Sequence, residues 1–564
     1  MPGVAADPRQ EPTFFEAIDV DVAEIEVFVA DREGRPVSGL TAADFELYED
    51  GHPVAISNFY AAADAASTAP AGAAALPDGG GPAAEVAASK AEEEQRLYLA
   101  VLVDNSSLAA MARNRALAAL RGFVGSRLGP RDRLLLAAYD GTLRVRQAPT
   151  GDAAALAAAL SELAAGSTRG FEGEMERRRI LDELSGGSLP TAGEHPDTSA
   201  AEAEAIFAGI RLYAEARHAE TRRTVAALDE LLSSLAGLPG HKALLYVGGG
   251  IALRPGEALF QAWRDRYPWM AARVGAGLDA FQTDATRLVD QLIERADAGR
   301  VTVYALGITA GVSTVPSEAA GGRTWTRELA ALESLQLGEP LRRLAGATGG
   351  LAAIDAPSEG PLLAGLRGDL DSYFSLGYAP LHGRDGARHR VEVKTRDRTL
   401  TVRTREAYRD RAGGELAADR VRSALLFGGV ANALGVAIDF EQERPGPEGQ
   451  VEVSALVKFP LAKLVLLPQE TVHEGRVRLF VGARDERGRT SPIVEVAVPI
   501  RIPNENLLAA LGQTVGTRVT LRLRPGEQRV AVALRDELGK TDSTVTAAYT
   551  AGRTDGAAPH GPSF

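Results

Sequence analysis

The chain has 564 residues, 45% hydrophobic and 24% charged, with 60 Gly, 30 Pro and a formal net charge of −13. At roughly 150 residues per domain this length predicts about three or four globular domains. The acidic balance argues against nucleic acid or an anionic membrane as partner, and the absence of cysteine excludes disulfides, thiolate metal sites and cysteine nucleophiles.

Residues 1–12 hold no basic segment followed by an apolar run, so no signal peptide is expected here. Residues 19–30 alternate in the manner of a half-buried strand and close in a turn at 31–35. Thr41 to Asp44 reads as a capping box for a short helical turn, and 45–49 with 53–59 as a hairpin around Asp50-Gly51. Residues 61–95 are rich in Ala, Gly and Pro and carry almost no large apolar side chain. They read as a flexible linker, because so little burial cannot offset the entropy of ordering.

Residues 97–104, LYLAVLVD, form an unbroken apolar run ending in an acid. Such a run suits a strand buried on both faces of a parallel sheet. A helix is expected at 109–128, which places Asp104 at the carboxyl end of the strand, the edge where open α/β sheets bind ligands. Next come a hairpin, 133–139 and 143–147, around Asp140-Gly141, a helix at 152–165 and a polar, irregular insertion at 166–196. A capping box at Ser199 to Glu202 opens a helix to about residue 236, and a buried strand at 241–247 runs into Gly248-Gly249-Gly250. Helices at 283–298, 324–345 and 361–372 alternate with strands at 301–307 and 350–354. This alternation predicts the α/β class, with a doubly wound, mostly parallel, Rossmann-like sheet.

Past residue 372 strands dominate, at 373–378, 389–394 and 399–404. A helix at 415–427 is followed by short strands up to 549, one of them at 463–467, which suit an immunoglobulin-like sandwich. All-β sandwich domains therefore flank the α/β domain. The pieces 14–60 and 373–408 are each too small to stand alone and are expected to pair as one β domain. The 96–372 domain is then inserted between them, and 415–550 forms the last domain. Asp-x-x-Gly-Arg/Lys recurs at 31–35, 485–489 and 536–540 and reads as three solvated turns, with too few carboxylates for calcium. No stretch reaches the ~20 apolar residues of a membrane span; 423–438 reads as a helix end followed by a buried strand.

Asp104-Asn105-Ser106-Ser107-Leu108 resembles the first metal-site motif, D-x-S-x-S, of the von Willebrand factor type A (VWA) domain. The blocks 26–54, 97 onward and 373–408 resemble a VWA-related family described from acidobacteria. The resemblance implies an extracytoplasmic protein, at odds with the missing leader, so localisation stays open. It also implies a metal ion-dependent adhesion site, in which an Asp, two Ser, a Thr and a second Asp hold Mg²⁺ and leave a position for an acidic residue of a protein partner. Asp104 and Ser106 match and are the expected metal ligands. Leu108 stands where the second Ser belongs and Gly249 where the second Asp belongs, with Thr168 the one match for the Thr. Asn105, Ser107, Gly248, Gly249 and Gly250 are the expected partner contacts of this degenerate site. It holds too little charge to strip water from a hard cation, so no cofactor is expected beyond weak Mg²⁺ or Mn²⁺. The alternative is that Asp104 and Ser106 cap the following helix.

His382 and His389 sit in a Gly-rich hairpin loop without a third ligand and read as surface histidines. Gly248 to Gly250 is not followed by the Lys-Ser/Thr of a phosphate loop. The expected function is a non-enzymatic, adhesion-type protein-binding module of an envelope assembly. Its partner is a protein, with no nucleic acid and no integral membrane segment. A structural scaffold with an inactive site is the alternative, and a hydrolase using Asp104 the third reading.

Overall fold

A computed structural model describes residues 22–62, 96–127, 132–168, 170–186, 196–271, 283–309, 325–382, 385–428 and 431–552. The expected linker therefore lies, from residue 63, outside the described residues. Among these, no helix is long and apolar enough to cross a membrane.

The chain opens with β1 (Ala23–Ala30), β2 (Phe45–Glu49), β3 (His52–Val54) and β4 (Ile56–Ala61). Asp50 at φ 48° and Gly51 at φ 81° make the tight turn that the Asp-Gly pair predicts. The hairpin's second arm is shorter than expected, because β3 pairs with β2 whereas β4 crosses to a different sheet and pairs with a strand near residue 375.

The next unit runs β5 (Leu97–Asp104), α1 (Ala110–Arg127), β6 (Arg133–Tyr139), β7 (Leu143–Thr150), α2 (Ala153–Ala165), α3 (Gly170–Gly186), α4 (Pro196–Ala236) and β8 (His241–Gly248). It continues with α5 (Glu257–Arg266), α6 (Thr286–Gly299), β9 (Val301–Gly307), α7 (Trp325–Ala347), β10 (Ala352–Ile354) and α8 (Gly360–Asp371). The six strands lie in the order β10-β9-β8-β5-β6-β7, and only the edge strand β7 is antiparallel. Ala100, Leu102 and Leu244 face Leu228, Leu231 and Leu235 of α4. Leu99, Val101 and Val103 face Leu117 and Leu120 of α1 and Leu366 of α8. Helices on both sides leave no solvent face on β5, which is why its sequence shows no polar alternation.

The insertion at 166–196 is not irregular: Gly170–Gly186 is a helix, α3, while 187–195 lie outside the described residues. Ile180 and Leu184 of α3 pack with Phe207 and Ile210 of α4 and with Trp263 of α5. Arg177, one turn before Ile180, is buried and pairs with Glu174 and Glu333. With Leu181 the apolar stripe is three residues confined to one turn, too short to register as helical periodicity, so the helix depends on its neighbours for burial. Helix α4 is 41 residues long and outruns the sheet, its first half belonging to this satellite core.

The strands β11 (Tyr373–Tyr378), β12 (Arg388–Thr395), β13 (Thr401–Thr404) and β14 (Ala407–Arg409) return to the leader. Two antiparallel sheets result, β13-β1-β11-β4 and β14-β12-β2-β3. Ile25, Val27, Phe45 and Leu47 from the leader share one core with Phe374, Leu376, Val391 and Val393 from the tail. This sandwich meets the α/β domain through charge, with Lys242 and Arg405 buried and Glu26 and His241 half-buried. Glu26 of β1 lies 2.7 Å from His241 Nδ1 and accepts from Thr302 Oγ1 at 3.2 Å. Burial alone would raise Glu26, but the His241 hydrogen bond and the charges of His241, Arg405 and Lys242 hold it down at about 2. Burial, helped by Arg300 and Arg411, pushes the neighbouring Lys242 down to about 7.

The last unit comprises α9 (Gly413–Phe427), β15 (Ala437–Pro445), β16 (Val451–Pro460), β17 (Leu467–Pro468), β18 (Val472–Asp485), β19 (Val494–Pro503), β20 (Thr514–Leu523), β21 (Gly526–Asp536) and β22 (Thr541–Ala551). Sheet β15-β16-β20 packs on sheet β17-β18-β21-β22, with β19 also paired to β18. Three expectations fail here. The strand at 463–467 is a 3-10 turn, Leu461–Lys463, followed by the two-residue β17, and β15 is a largely exposed edge strand rather than a buried one. The turn acids do bond back to turn amides, Asp31 to Arg35 N at 2.8 Å and Asp485 to Arg489 N at 2.8 Å. Asp536, expected in solvent, is 1% exposed.

Candidate functional site

Because β5 runs parallel to β6 and β8, its carboxyl end lies beside Tyr139 and the loop after β8. Asp104 is 1% exposed at that edge. Its Oδ1 accepts from Ser106 N at 3.0 Å and Ser106 Oγ at 2.6 Å, and its Oδ2 from the Tyr246 hydroxyl at 2.9 Å. Burial pushes the Asp104 carboxyl up, against the lowering pull of hydrogen bonds from Ser106, Ser107 and Tyr246. Ser107 Oγ donates to Asp104 O at 3.3 Å and accepts from Gly249 N at 2.8 Å, joining the two strand-end loops.

Asp104, Ser106, Ser107 and Gly249 thus meet in one place, but Leu108 turns away and is fully buried in the α1 face of the core. A Cβ added at Gly249 would lie 2.5 Å from Ser107 O, and one at Gly248 would lie 2.3 Å from the Tyr246 hydroxyl oxygen. At Gly249 the Ser107 backbone, and at Gly248 the Tyr246 ring and hydroxyl, pass too close for a side chain. Gly170 presses in the same way on the Leu108 backbone, with Thr168 half-buried in the loop before it. Asn105, 4% exposed, keeps a buried Oδ1 without a hydrogen-bond partner among the described residues. Of the expected partner contacts, Asn105, Gly248 and Gly249 are buried, while Ser107 and Gly250 are half-buried.

The donor set does not fit Mg²⁺. A small hard cation needs about six well-placed oxygens, whereas both Asp104 oxygens are engaged and Leu108 offers none. The capping alternative also changes: α1 begins at Ala110, so the Asp104 to Ser106 bonds close the strand-end turn rather than cap the helix. Tyr246 is the residue that the sequence reading missed. It sits inside the apolar run HKALLYV and looks like core, yet a buried tyrosine hydroxyl needs a partner, and in the register its strand neighbour is Leu102, two residues from Asp104. A second knot closes the edge at β9 and β10, where Asp355 accepts from Thr309 N at 2.7 Å and Ser334 Oγ at 2.8 Å.

His382 and His389, expected at the surface, are half-buried and buried, and Asp385 stands beside them as a candidate third ligand that their sequence context did not suggest. One ligand atom each from His382, Asp385 and His389 lie within 4.8 Å of one another. The two rings are stacked, centroids 3.4 Å apart.

No protein-family model and no curated protein matches the chain. Among solved structures, the structural-genomics target SoR45 is 12% identical with a TM-score of 0.16, covering 24% of this chain and 100% of its own. The conserved hypothetical protein BatB from Bacteroides thetaiotaomicron is 9% identical with a TM-score of 0.21, covering 49% of this chain and 97% of its own. A Bacteroides uniformis β-glucuronidase is 14% identical with a TM-score of 0.15, covering 32% of this chain and 19% of its own. Likenesses this weak carry no argument about function.

Proposed function

We propose that this chain is a non-enzymatic protein-binding module of the VWA-related kind, with a closed, metal-free strand-end site, acting in an extracytoplasmic or envelope assembly. The Asp104-x-Ser106 turn at the end of a central parallel strand supports the VWA reading, and the two-sheet C-terminal unit supports an immunoglobulin-like one. The observation that carries protein binding is the cleft between the β6–β7 hairpin and the C-terminal sandwich. It has a volume of about 1890 Å³ and is lined by Val145, Phe427, Phe440 and Tyr549 together with Arg144 and Arg529. Small-molecule pockets are typically ~300–1,000 Å³ and enclosed. An open cleft of this size, with aromatic side chains among charges of both signs and the edge strand β7 beside it, suits a protein segment.

The hydrolase reading is disfavoured, because an acid that is 1% exposed with both oxygens engaged offers nothing to a substrate. The scaffold reading has its own support in the charges joining the leader–tail sandwich to the α/β domain, where Glu26, His241 and Lys242 meet Arg405. A photo-crosslinking residue at Arg144, in the cleft, and another at Met111, 86% exposed on α1, separate the two. Protein binding predicts a discrete adduct from position 144 in native extract and none from 111. The same adducts from both positions, or none from either, would favour the scaffold.

A further inference from the structure

Where the β2–β3 turn, the loop after β11 and the start of β12 converge, two histidines and several carboxylates gather far from Asp104 in the chain. His382 Nε2 lies 3.2 Å from Glu49 Oε1, and His389 Nδ1 lies 2.8 Å from Asp50 Oδ2. An ionised carboxylate only accepts, so these contacts place a proton on His382 Nε2 and on His389 Nδ1. The remaining nitrogen of each ring faces the same oxygen: Asp385 Oδ1 is 3.2 Å from His389 Nε2 and 3.9 Å from His382 Nδ1. Without an ion the same rule puts a proton on His389 Nε2 at Asp385, so a cation binding here would displace that proton and take its place between the two ring nitrogens and the anionic oxygen.

We propose that His382 Nδ1, His389 Nε2 and Asp385 Oδ1 form a binding site for a divalent first-row transition ion, zinc by preference. Zinc takes imidazole and carboxylate donors at about 2.0–2.2 Å in tetrahedral geometry, which separates neighbouring donors by ~3.3–3.6 Å. The distances of 3.2 and 3.9 Å bracket that spacing. Asp410 Oδ2, 3.8 Å from His382 Nδ1, is the fourth donor in reach, and the Tyr408 hydroxyl holds its other oxygen. Two imidazoles with carboxylates favour zinc, nickel, cobalt or copper over magnesium and calcium.

The surroundings resemble the outer layer of a built metal site, in which each ligating histidine donates its other N–H to a carboxylate. Glu49 and Asp50 are consecutive residues that serve the two rings separately. Glu49 is itself fixed: it is 1% exposed and accepts from the Tyr378 hydroxyl at 2.8 Å and Leu381 N at 3.0 Å. The rings lie 12° from parallel with centroids 3.4 Å apart. Two offset parallel planes cannot both contain one ion, so binding must tilt one ring out of the stack. All the ligands come from the tail, and the leader contributes through Glu49 and Asp50, which hold the two rings.

The test is Zn²⁺ competition against a chromophoric chelator on the full chain at pH 7.5, with Mg²⁺ in millimolar excess. One Zn²⁺ per chain at micromolar affinity or tighter is expected, weakened at least tenfold by Asp385→Asn and by His389→Gln. The Asp385 side chain is 46% exposed, so Asp385→Asn preserves the fold, which thermal unfolding of the ion-free variant verifies. Zn²⁺ should raise the melting temperature of the parent and not of Asp385→Asn. Imidazole resonances of both histidines should shift on binding. Failure to bind Zn²⁺, binding retained by both variants, or displacement by Mg²⁺ would each overturn the proposal.

Discussion

The Tyr246 hydroxyl donates to Asp104 Oδ2 at 2.9 Å across two adjacent parallel strands, at the sheet edge where a ligand would otherwise reach the acid. Ser106 holds the other oxygen. The acid thus serves the protein's own loops: it fixes the β5 turn, which through Ser107 fixes the turn at Gly249.

Tyr246→Phe should destabilise the chain by about 1–3 kcal/mol, the usual effect of leaving a buried acceptor without its donor. Urea unfolding of parent and variant measures this. An unchanged midpoint would mean that the hydroxyl contributes nothing to the closed edge.

Introducing VWA-type metal ligands with Leu108→Ser and Gly249→Asp should not create a Mg²⁺ site. Leu108 is fully buried, so its loss should cost at least the ~2–5 kcal/mol of a core Leu→Ala change. The Cβ introduced in place of Gly249 would press on the Ser107 carbonyl oxygen, 2.5 Å away. Calorimetry with Mg²⁺ and Mn²⁺, beside a melting curve, decides it. Tight binding by a folded double variant would show that the loops retain the geometry of a metal site.

Stability should depend on pH through the seam between the first two domains. Glu26 is held at about 2, below its ordinary 4.5, so its contribution is complete above pH ~4.5 and is lost as pH falls toward 2. Lys242 is pushed to about 7 from 10.5. Between those values the unfolded chain binds the extra proton, so stability should rise as pH goes from about 7 toward 10. Lys242→Met should flatten this alkaline rise. An equal slope in parent and variant would assign the effect to another group.

Backbone amides within α3 should exchange slowly with deuterium, because Ile180 and Leu184 are buried against α4 and Trp263. Trp263→Ala, at a position with 0% exposure, should remove about 3–5 kcal/mol of local packing and speed exchange across 175–184. Fast exchange in the parent would indicate the irregular segment that the residues by themselves suggest.

The sequence by itself determined the elements whose cause is local. The apolar stretches within LYLAVLVD and HKALLYV, with charge at one end of each, dictated strands buried on both faces. Asp50-Gly51 and the Asp31 and Asp485 turns followed from side-chain bonding and positive φ within five residues. That Leu108 and Gly249 offer no side-chain oxygen was equally plain. Only the tertiary structure decided which distant segments meet. It set β1 between β11 and β13 and brought the Tyr246 hydroxyl to Asp104. It also gave α3 a core to lie on, and placed Asp50 beside His389, 339 residues further along the chain. The physical reason is range. Periodicity and turn chemistry act over a few residues, whereas the register of strands far apart in the chain fixes which loops share a sheet edge, and a shift of one residue would have sent each of these side chains to the opposite face.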